Sequence, residues 1–230
     1  MAIEIKICGL TSDEAIAAAL EAQVDLIGFV FFPRSPRNLT LDEARRLAEP
    51  VRGRATVVAL IVDEIDRRIA EMVERFSPDL IQLHGRETPE RVADIRAFTG
   101  RPVMKAVSIA EPADLRQIAA HAPVADRLLV DAKPPKTPGA LPGGNGLAFD
   151  WRLVRGLDPG RPVMLSGGLD ASNVARAIEV SGLSAVDVSS GVERAPGTKD
   201  PELIRAFCRN ARAARLPERP VATPSKDLDP

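Results

Sequence analysis

Tyrosine is missing from all 230 residues, tryptophan occurs once, and aromatics make up only 3 % of the chain. Single-stranded nucleic acid is gripped by aromatic stacking platforms, so no such partner is expected. A surplus of one charge is missing too: 31 Lys and Arg stand against 32 Asp and Glu, a net −1. Such a chain has no field to gather DNA or an acidic membrane surface. No apolar run reaches the ~18–20 residues of a membrane span. The opening Met1-Ala2-Ile3-Glu4-Ile5-Lys6 lacks the basic-then-apolar order of a signal peptide. Cysteine is scarce. Cys8 and Cys208 make no disulfide framework and have no metal-ligand spacing. A reducing cytoplasm is the expected location, with no metal, no membrane and no nucleic acid. Internal repeats and a second domain are also absent.

What is present is a rhythm. Short β-rich runs fall at 3–8, 26–31, 56–62, 80–84, 103–107, 127–131, 163–165 and 185–188. Helical patterns lie between them at 12–22, 41–48, 64–76, 88–98, 112–121, 151–157, 172–180 and 201–213. Ser12, Thr40, Thr88 and Ser172 stand where helix caps or first turns belong. Alternation of this kind means βαβ units and a parallel sheet. Eight units predict an α/β fold closed as a (β/α)8 TIM barrel over residues 1–213. An open doubly wound sheet is the alternative, but Cys8-Gly9-Leu10-Thr11-Ser12 is not its Gly-rich nucleotide loop. Two segments break the rhythm. The Pro/Gly-rich stretch 133–146 is long enough to be a functional loop. Residues 214–230 carry four prolines without apolar periodicity and read as a disordered tail.

Barrel enzymes place their chemistry at the C-terminal ends of the strands. That rim collects Cys8, Arg34, Arg37, Asp63, His84, Asp131, Ser166-Gly167-Gly168 and Ser189-Ser190-Gly191, while the opposite rim is bland. Alternation along the first strand turns Ile3, Ile5 and Ile7 outward, and Glu4, Lys6 and Cys8 inward. Cys8 is then either a buried structural cysteine or a thiolate base that Lys6 favours, with Asp187 the candidate partner of Lys6. Asp131 is either a turn cap, a partner of Lys133, or an acid kept protonated by burial. The glycines at 167–168 and 191, with Ser189 and Ser190, occupy the two loops that bind phosphate in this fold. A phosphorylated small molecule is the expected partner. The prolines flanking Arg34 and Ser35 stiffen a loop able to hold Arg37 against a carboxylate, with Arg34 solvated. His84 is either a ligand contact or a satisfied strand-end histidine. His121 reads as surface, Cys208 as core or surface, and Asp63 as helix cap or site.

Taken in order, these segments resemble the phosphoribosylanthranilate isomerase family. The resemblance rests on Lys6-Ile7-Cys8-Gly9-Leu10, Gly28-Phe29-Val30-Phe31 with Ser35-Pro36-Arg37, Ile81-Gln82-Leu83-His84-Gly85 and Leu129-Val130-Asp131-Ala132. It continues through Gly143-Gly144-Asn145-Gly146, Ser166-Gly167-Gly168-Leu169 and Asp187-Val188-Ser189-Ser190-Gly191-Val192-Glu193. It implies a barrel and an Amadori rearrangement of N-(5-phosphoribosyl)anthranilate in tryptophan biosynthesis, without a cofactor. Cys8 falls on the family's base, Asp131 on its acid and Arg37 on its anthranilate-carboxylate arginine. Asn145 stands where the family more often has threonine, which implies a local change in that loop. The resemblance leans to a monomer. A related barrel isomerase of histidine biosynthesis would use two aspartates, which Cys8 opposes. A catalytically dead phosphate-binding barrel is opposed by intact Cys8 and Asp131.

Overall fold

The computed structural model describes residues 2–135 and 141–217. Eight parallel strands close on themselves in chain order. The elements are β1 (Glu4–Cys8), α1 (Asp13–Glu21), β2 (Leu26–Phe31), α2 (Leu41–Ala48), β3 (Thr56–Ile61), α3 (Asp66–Phe76), β4 (Leu80–Leu83), α4 (Pro89–Thr99), β5 (Val103–Ile109), α5 (Leu115–His121), β6 (Arg127–Ala132), β7 (Val163–Leu165), α6 (Val174–Ser181), β8 (Ala185–Val188), β9 (Glu193–Ala195), β10 (Thr198–Lys199) and α7 (Pro201–Ala213). Closure is made by β1 on β8, with Lys6 opposite Asp187.

The alternation sorts side chains as expected. Ile3, Ile5 and Ile7 join the outer core with residues of the surrounding helices. The barrel floor is apolar, built from Leu26, Val58, Leu80, Met104, Leu129, Met164 and Ala185. Cys8, Val30 and Leu60 pack together nearer the C-terminal rim. Polar Lys6, Gln82 and Asp187 are buried inside the same barrel. An apolar floor fixes the fold, and the ring above it is free to carry charge.

Helix starts follow their caps. Ser12 accepts from Ala15 N, Thr40 and Glu43 form a reciprocal capping box, and Thr88 accepts from Arg91 N. Ser172 does not cap. Asp170 takes the backbone N–H groups of Ser172 and Asn173, and α6 starts only at Val174. The helix expected over 151–157 shrinks to a 3-10 turn, Trp151–Val154. Arg155 is extended and Gly156 has a positive φ, so the turn cannot propagate. A hairpin, β9 with β10, follows β8 and was not expected; Pro196-Gly197 forms its turn. Ala214 and Leu216 pack on the core, so the start of the expected tail belongs to the barrel. The remainder of that tail, 218–230, lies outside the described residues. Among the described residues no helix is long and apolar enough to cross a membrane.

Candidate active site

At the C-terminal rim a cleft of about 760 Å³, partly open to solvent, is lined by Cys8, Arg37, His84, Asp131, Gly167, Gly168, Ser189 and Ser190. The residues expected at the site therefore line one cleft. Gly191 stands behind its wall. A Cβ there would lie 1.9 Å from Leu169 O, so only glycine lets the loops after β7 and β8 come together.

Cys8 ends β1, inside the barrel. One layer below, Lys6 Nζ meets Asp187 Oδ1 at 2.7 Å, as the strand register predicts, and Ser166 Oγ donates to Asp187 Oδ2 at 3.0 Å. Burial pulls the Lys6 ammonium down, but Asp187 and then Cys8 outweigh it and leave Lys6 above the ordinary lysine value. Lys6 does not win at Cys8. Burial pushes the thiol up, Lys6 and Lys199 oppose, Asp187 adds to the rise, and Cys8 stays above the ordinary cysteine value. Burial thus favours the thiol over the thiolate at Cys8.

Asp131 is held at both oxygens. Oδ1 accepts from Ala132 N at 2.8 Å, and Oδ2 lies 3.1 Å from His84 Nε2. Lys133 turns away to Asp114 at 2.6 Å, which removes the ion-pair reading of Asp131. His84 Nδ1 lies 2.9 Å from Gln82 Nε2, and His84 contacts Asp131 as well as the cleft. The segment carrying His84 is clamped from outside the barrel. Lys105 donates to Gly85 O and Glu87 Oε2, both at 2.8 Å, and Glu87 accepts from Gly85 N and Asp63 N. Burial raises the Glu87 carboxyl, yet the charge and hydrogen bond of Lys105 hold it below its ordinary value. His121 is buried, not on the surface, with its ring nitrogens against Gln117 O and Glu87 O. Asp63 is no helix cap; it has positive φ and accepts from Arg86 N. Cys208 is core.

Residues 143 and 144 lie over Asp131 and Arg37. A Cβ on Gly143 would come within 2.6 Å of His84 Nε2 and 2.9 Å of Asp131 Oδ2, and one on Gly144 within 2.8 Å of Arg37 Nη1. Asn145 Nδ2 donates to Leu141 O, tying the loop to itself.

Arg37 lines the cleft but its fork is occupied. Nε and Nη2 donate to the two carboxylate oxygens of Glu193 at 2.7 and 2.8 Å. Lys199 Nζ shares Glu193 Oε1 at 2.8 Å and donates to Ser189 O at 2.8 Å. Burial raises Glu193, but Arg37 and Lys199 hold it below the ordinary carboxylate value. Burial drives Lys199 down to about 8 against the pull of Glu193. Sequence reasoning missed this triad. Arg34 is exposed, with its guanidinium 6.0 Å from the Phe32 ring centroid.

The loops after β7 and β8 both reach the cleft. Gly167 and Gly168 have positive φ, and Asn173 Nδ2 fixes Gly168 O. Ser189 Oγ donates to Cys8 O at 3.1 Å, linking the β8 loop to the end of β1. Among the described residues no group of three or more His, Cys, Asp or Glu is placed to hold a metal ion.

A family model described as N-(5'phosphoribosyl)anthranilate (PRA) isomerase matches residues 5–210. The N-(5'-phosphoribosyl)anthranilate isomerase of Azorhizobium caulinodans is 60 % identical over 220 residues, covering 96 % of each chain. That of Rhodopseudomonas palustris strain BisB5 is 54 % identical, over 93 % of this chain and 98 % of its own. The crystal structure of the phosphoribosyl anthranilate isomerase from Thermotoga maritima superposes with a TM-score of 0.82 at 34 % identity, covering 91 % of this chain and 98 % of that one. A structure of such an enzyme in complex with reduced 1-(o-carboxyphenylamino)-1-deoxyribulose 5-phosphate gives a TM-score of 0.78 at 33 % identity, with the same coverage. With the closed barrel and the cleft joining Cys8 to Asp131, these matches mean that the chain belongs to the N-(5'-phosphoribosyl)anthranilate isomerase family.

Proposed function

We propose that the isomerisation of N-(5-phosphoribosyl)anthranilate, the reaction of this family in tryptophan biosynthesis, is carried out here by Asp131 as acid and Cys8 as base. The observation that carries this reading is a single cleft that joins both residues to the two glycine-bearing loops. Protonated Asp131 donates to the furanose ring oxygen. The C1–O bond breaks, C4 gains a hydroxyl and C1 becomes an iminium. The Cys8 thiolate removes the C2 proton, the enol-amine forms, and its tautomer is 1-(2-carboxyphenylamino)-1-deoxyribulose 5-phosphate. The sequence ends with the proton on Cys8 and Asp131 bare, so one proton must reach Asp131 before the next turnover.

Burial favours the thiol form of Cys8. The iminium brings a positive charge to that low-dielectric site and favours loss of the Cys8 proton to solvent, which leaves the thiolate when it is needed. The phosphate sits between the loops at Gly167-Gly168 and Ser189-Ser190-Gly191, and the anthranilate carboxylate faces Arg37. With Nε and Nη2 engaged by Glu193, Arg37 meets that carboxylate end-on through Nη1 and not by a free bidentate fork. His84 lines the aromatic side of Asp131. The chain acts as a cytoplasmic monomer. Both cysteines are free thiols, and the exposed large apolar residues Ile65, Phe98, Leu147 and Leu203 lie on separate segments.

The test is a fluorescence assay of phosphoribosylanthranilate consumption by Cys8→Ala and Asp131→Asn. Each should lose ~10²–10⁴-fold or more in kcat with an unchanged melting profile. Either variant within tenfold of the parent removes that residue from its role.

A further inference from the structure

Reloading Asp131 with a proton each turnover falls on whatever touches it, and that is His84. His84 in turn rests on Gln82, a residue the reaction scheme does not use. Gln82 is wholly buried inside the barrel, flanked in register by Leu60 of β3 and Met104 of β5. Its Nε2 lies 2.9 Å from His84 Nδ1, while its Oε1 is buried and has no hydrogen-bond partner among the described residues. Buried polar side-chain atoms are rarely left this way in native interiors.

A carboxamide turned through half a circle exchanges its oxygen and nitrogen in nearly the same places. With the nitrogen toward the ring, Nδ1 must be bare. The ring then has its one proton on Nε2, donated to a bare Asp131 Oδ2. The His84–Asp131 pair holds one proton. With the oxygen toward the ring, Nδ1 must carry a proton, and a second is shared between Nε2 and Oδ2. The pair then holds two, and one of them is the proton that the acid step spends. In the orientation shown the far end of the amide has no hydrogen-bond partner among the described residues, so nothing there locks it. We propose that Gln82 is a positioning residue whose carboxamide, by presenting its nitrogen or its oxygen to His84, sets whether the His84–Asp131 pair is spent or loaded. The inference rests on Asp131 as the acid of the reaction.

The chain has only two histidines, so a sample labelled with ¹⁵N-histidine gives two imidazole spin systems. His84→Asn identifies which is which. With ¹⁵N-glutamine labelling added, the Gln82 side-chain amide signal should move in step with the His84 ring nitrogen signals as the pH is varied. An amide signal that ignores the ring overturns the proposal. Gln82→Met fills the same space with neither donor nor acceptor. It should shift the His84 nitrogen signals and lower kcat about tenfold or more, with KM within about twofold. Gln82→Glu can present a bare oxygen or an O–H to Nδ1 and should keep kcat within about threefold of the parent. A residue that only filled space would rank the variants the other way. His84 signals unmoved by Gln82→Met, or a Met variant as active as the Glu variant, would defeat the proposal. An active Asp131→Asn variant would instead remove the acid assignment beneath it, and the two failures are separable.

Discussion

Glu193 is the most exacting place to test the architecture of the site. Its carboxylate faces two buried cations, Arg37 and Lys199, whose side chains are 7 % and 0 % exposed. Replacing it by Gln keeps the volume and removes the only negative charge that either cation touches among the described residues' ion pairs. Removing one partner of a buried pair costs about 3–5 kcal/mol, because the desolvated charge left behind has no compensation. For a chain of this size that is roughly a 10 °C fall in Tm. Part of the penalty is avoidable. Lys199 is already pushed down to about 8 by burial, and Glu193 is what holds it up. Without Glu193 it releases its proton at still lower pH. The destabilisation should therefore be largest near pH 7 and smaller at pH 9, where Lys199 is neutral in both proteins. Urea unfolding at the two pH values measures it, and Glu193→Gln/Lys199→Met should recover part of the loss. The variant should also raise KM, because Arg37 is no longer held at the cleft. A Glu193→Gln protein within about 0.5 kcal/mol of the parent at pH 7, with unchanged KM, would show that the triad does not organise this rim.

Arg37→Lys should behave nearly as badly as Arg37→Ala, with higher KM and lower kcat, since an ammonium cannot hold Glu193 at two points and still reach the ligand; steady-state kinetics with Arg34→Ala as the mild control decides it, and a damaging Arg34→Ala reverses the assignment. KM for the phosphorylated substrate should rise as pH passes through about 8, where Lys199 loses the charge it holds against Ser189 O, and Lys199→Met should flatten that profile. The same group has an opposite effect on stability. Its folded value lies below the ordinary 10.5, the unfolded chain binds more protons between the two values, and stability from Lys199 grows as pH rises across that window. Glu87→Gln should lower Tm and reduce kcat together, since it leaves buried Lys105 uncompensated and loosens the segment that carries His84; equal kcat at equal folded fraction would detach the clamp from catalysis.

Much of this was legible before any coordinates. Alternation places Ile3, Ile5 and Ile7 outside and Lys6 and Cys8 inside because a strand repeats every two residues. Closure then puts β8 beside β1, and Lys6 opposite Asp187 follows. The glycine pairs were readable because the loops after the seventh and eighth strands have fixed places in this fold. The unread contacts share one property: they join side chains through loops and across the barrel, where no period applies. Arg37 and Glu193 are 156 positions apart, and His84 and Asp131 are 47 apart. One signal was available. Lys105 falls on the outward, core-facing side of β5, between Val103 and Val107, where a lysine demands a buried carboxylate. Glu87, just beyond His84-Gly85, was the nearest candidate. The lost helix after β6 was a period misread, because Gly156 and Pro159 sit where the pattern needed to continue.

The charged layer above the apolar floor explains why a buried cysteine can serve as a base at all. A thiolate standing permanently at a substrate-accessible rim would be exposed to oxidation, since reactivity follows thiolate character and access. Here the Lys6 charge that could maintain one is largely committed to Asp187, and Ser166 holds Asp187 toward it. Burial then decides the resting state in favour of the thiol. Lys6 and Lys199 nonetheless both pull toward the thiolate from within the same site. On the proposed assignment, the iminium that Asp131 creates by opening the ring adds a positive charge of the same sign as these lysines, so the acid step would supply charge that favours the base. Lys6→Met should therefore weaken catalysis while leaving substrate affinity largely intact, because it subtracts from the field at Cys8 and not from the contacts at Arg37 or the phosphate loops. Leaving Asp187 without its cation also makes it destabilising, so Lys6→Met/Asp187→Leu is the informative companion. If that double variant folds and keeps the parent kcat, the field at Cys8 does not come from this pair.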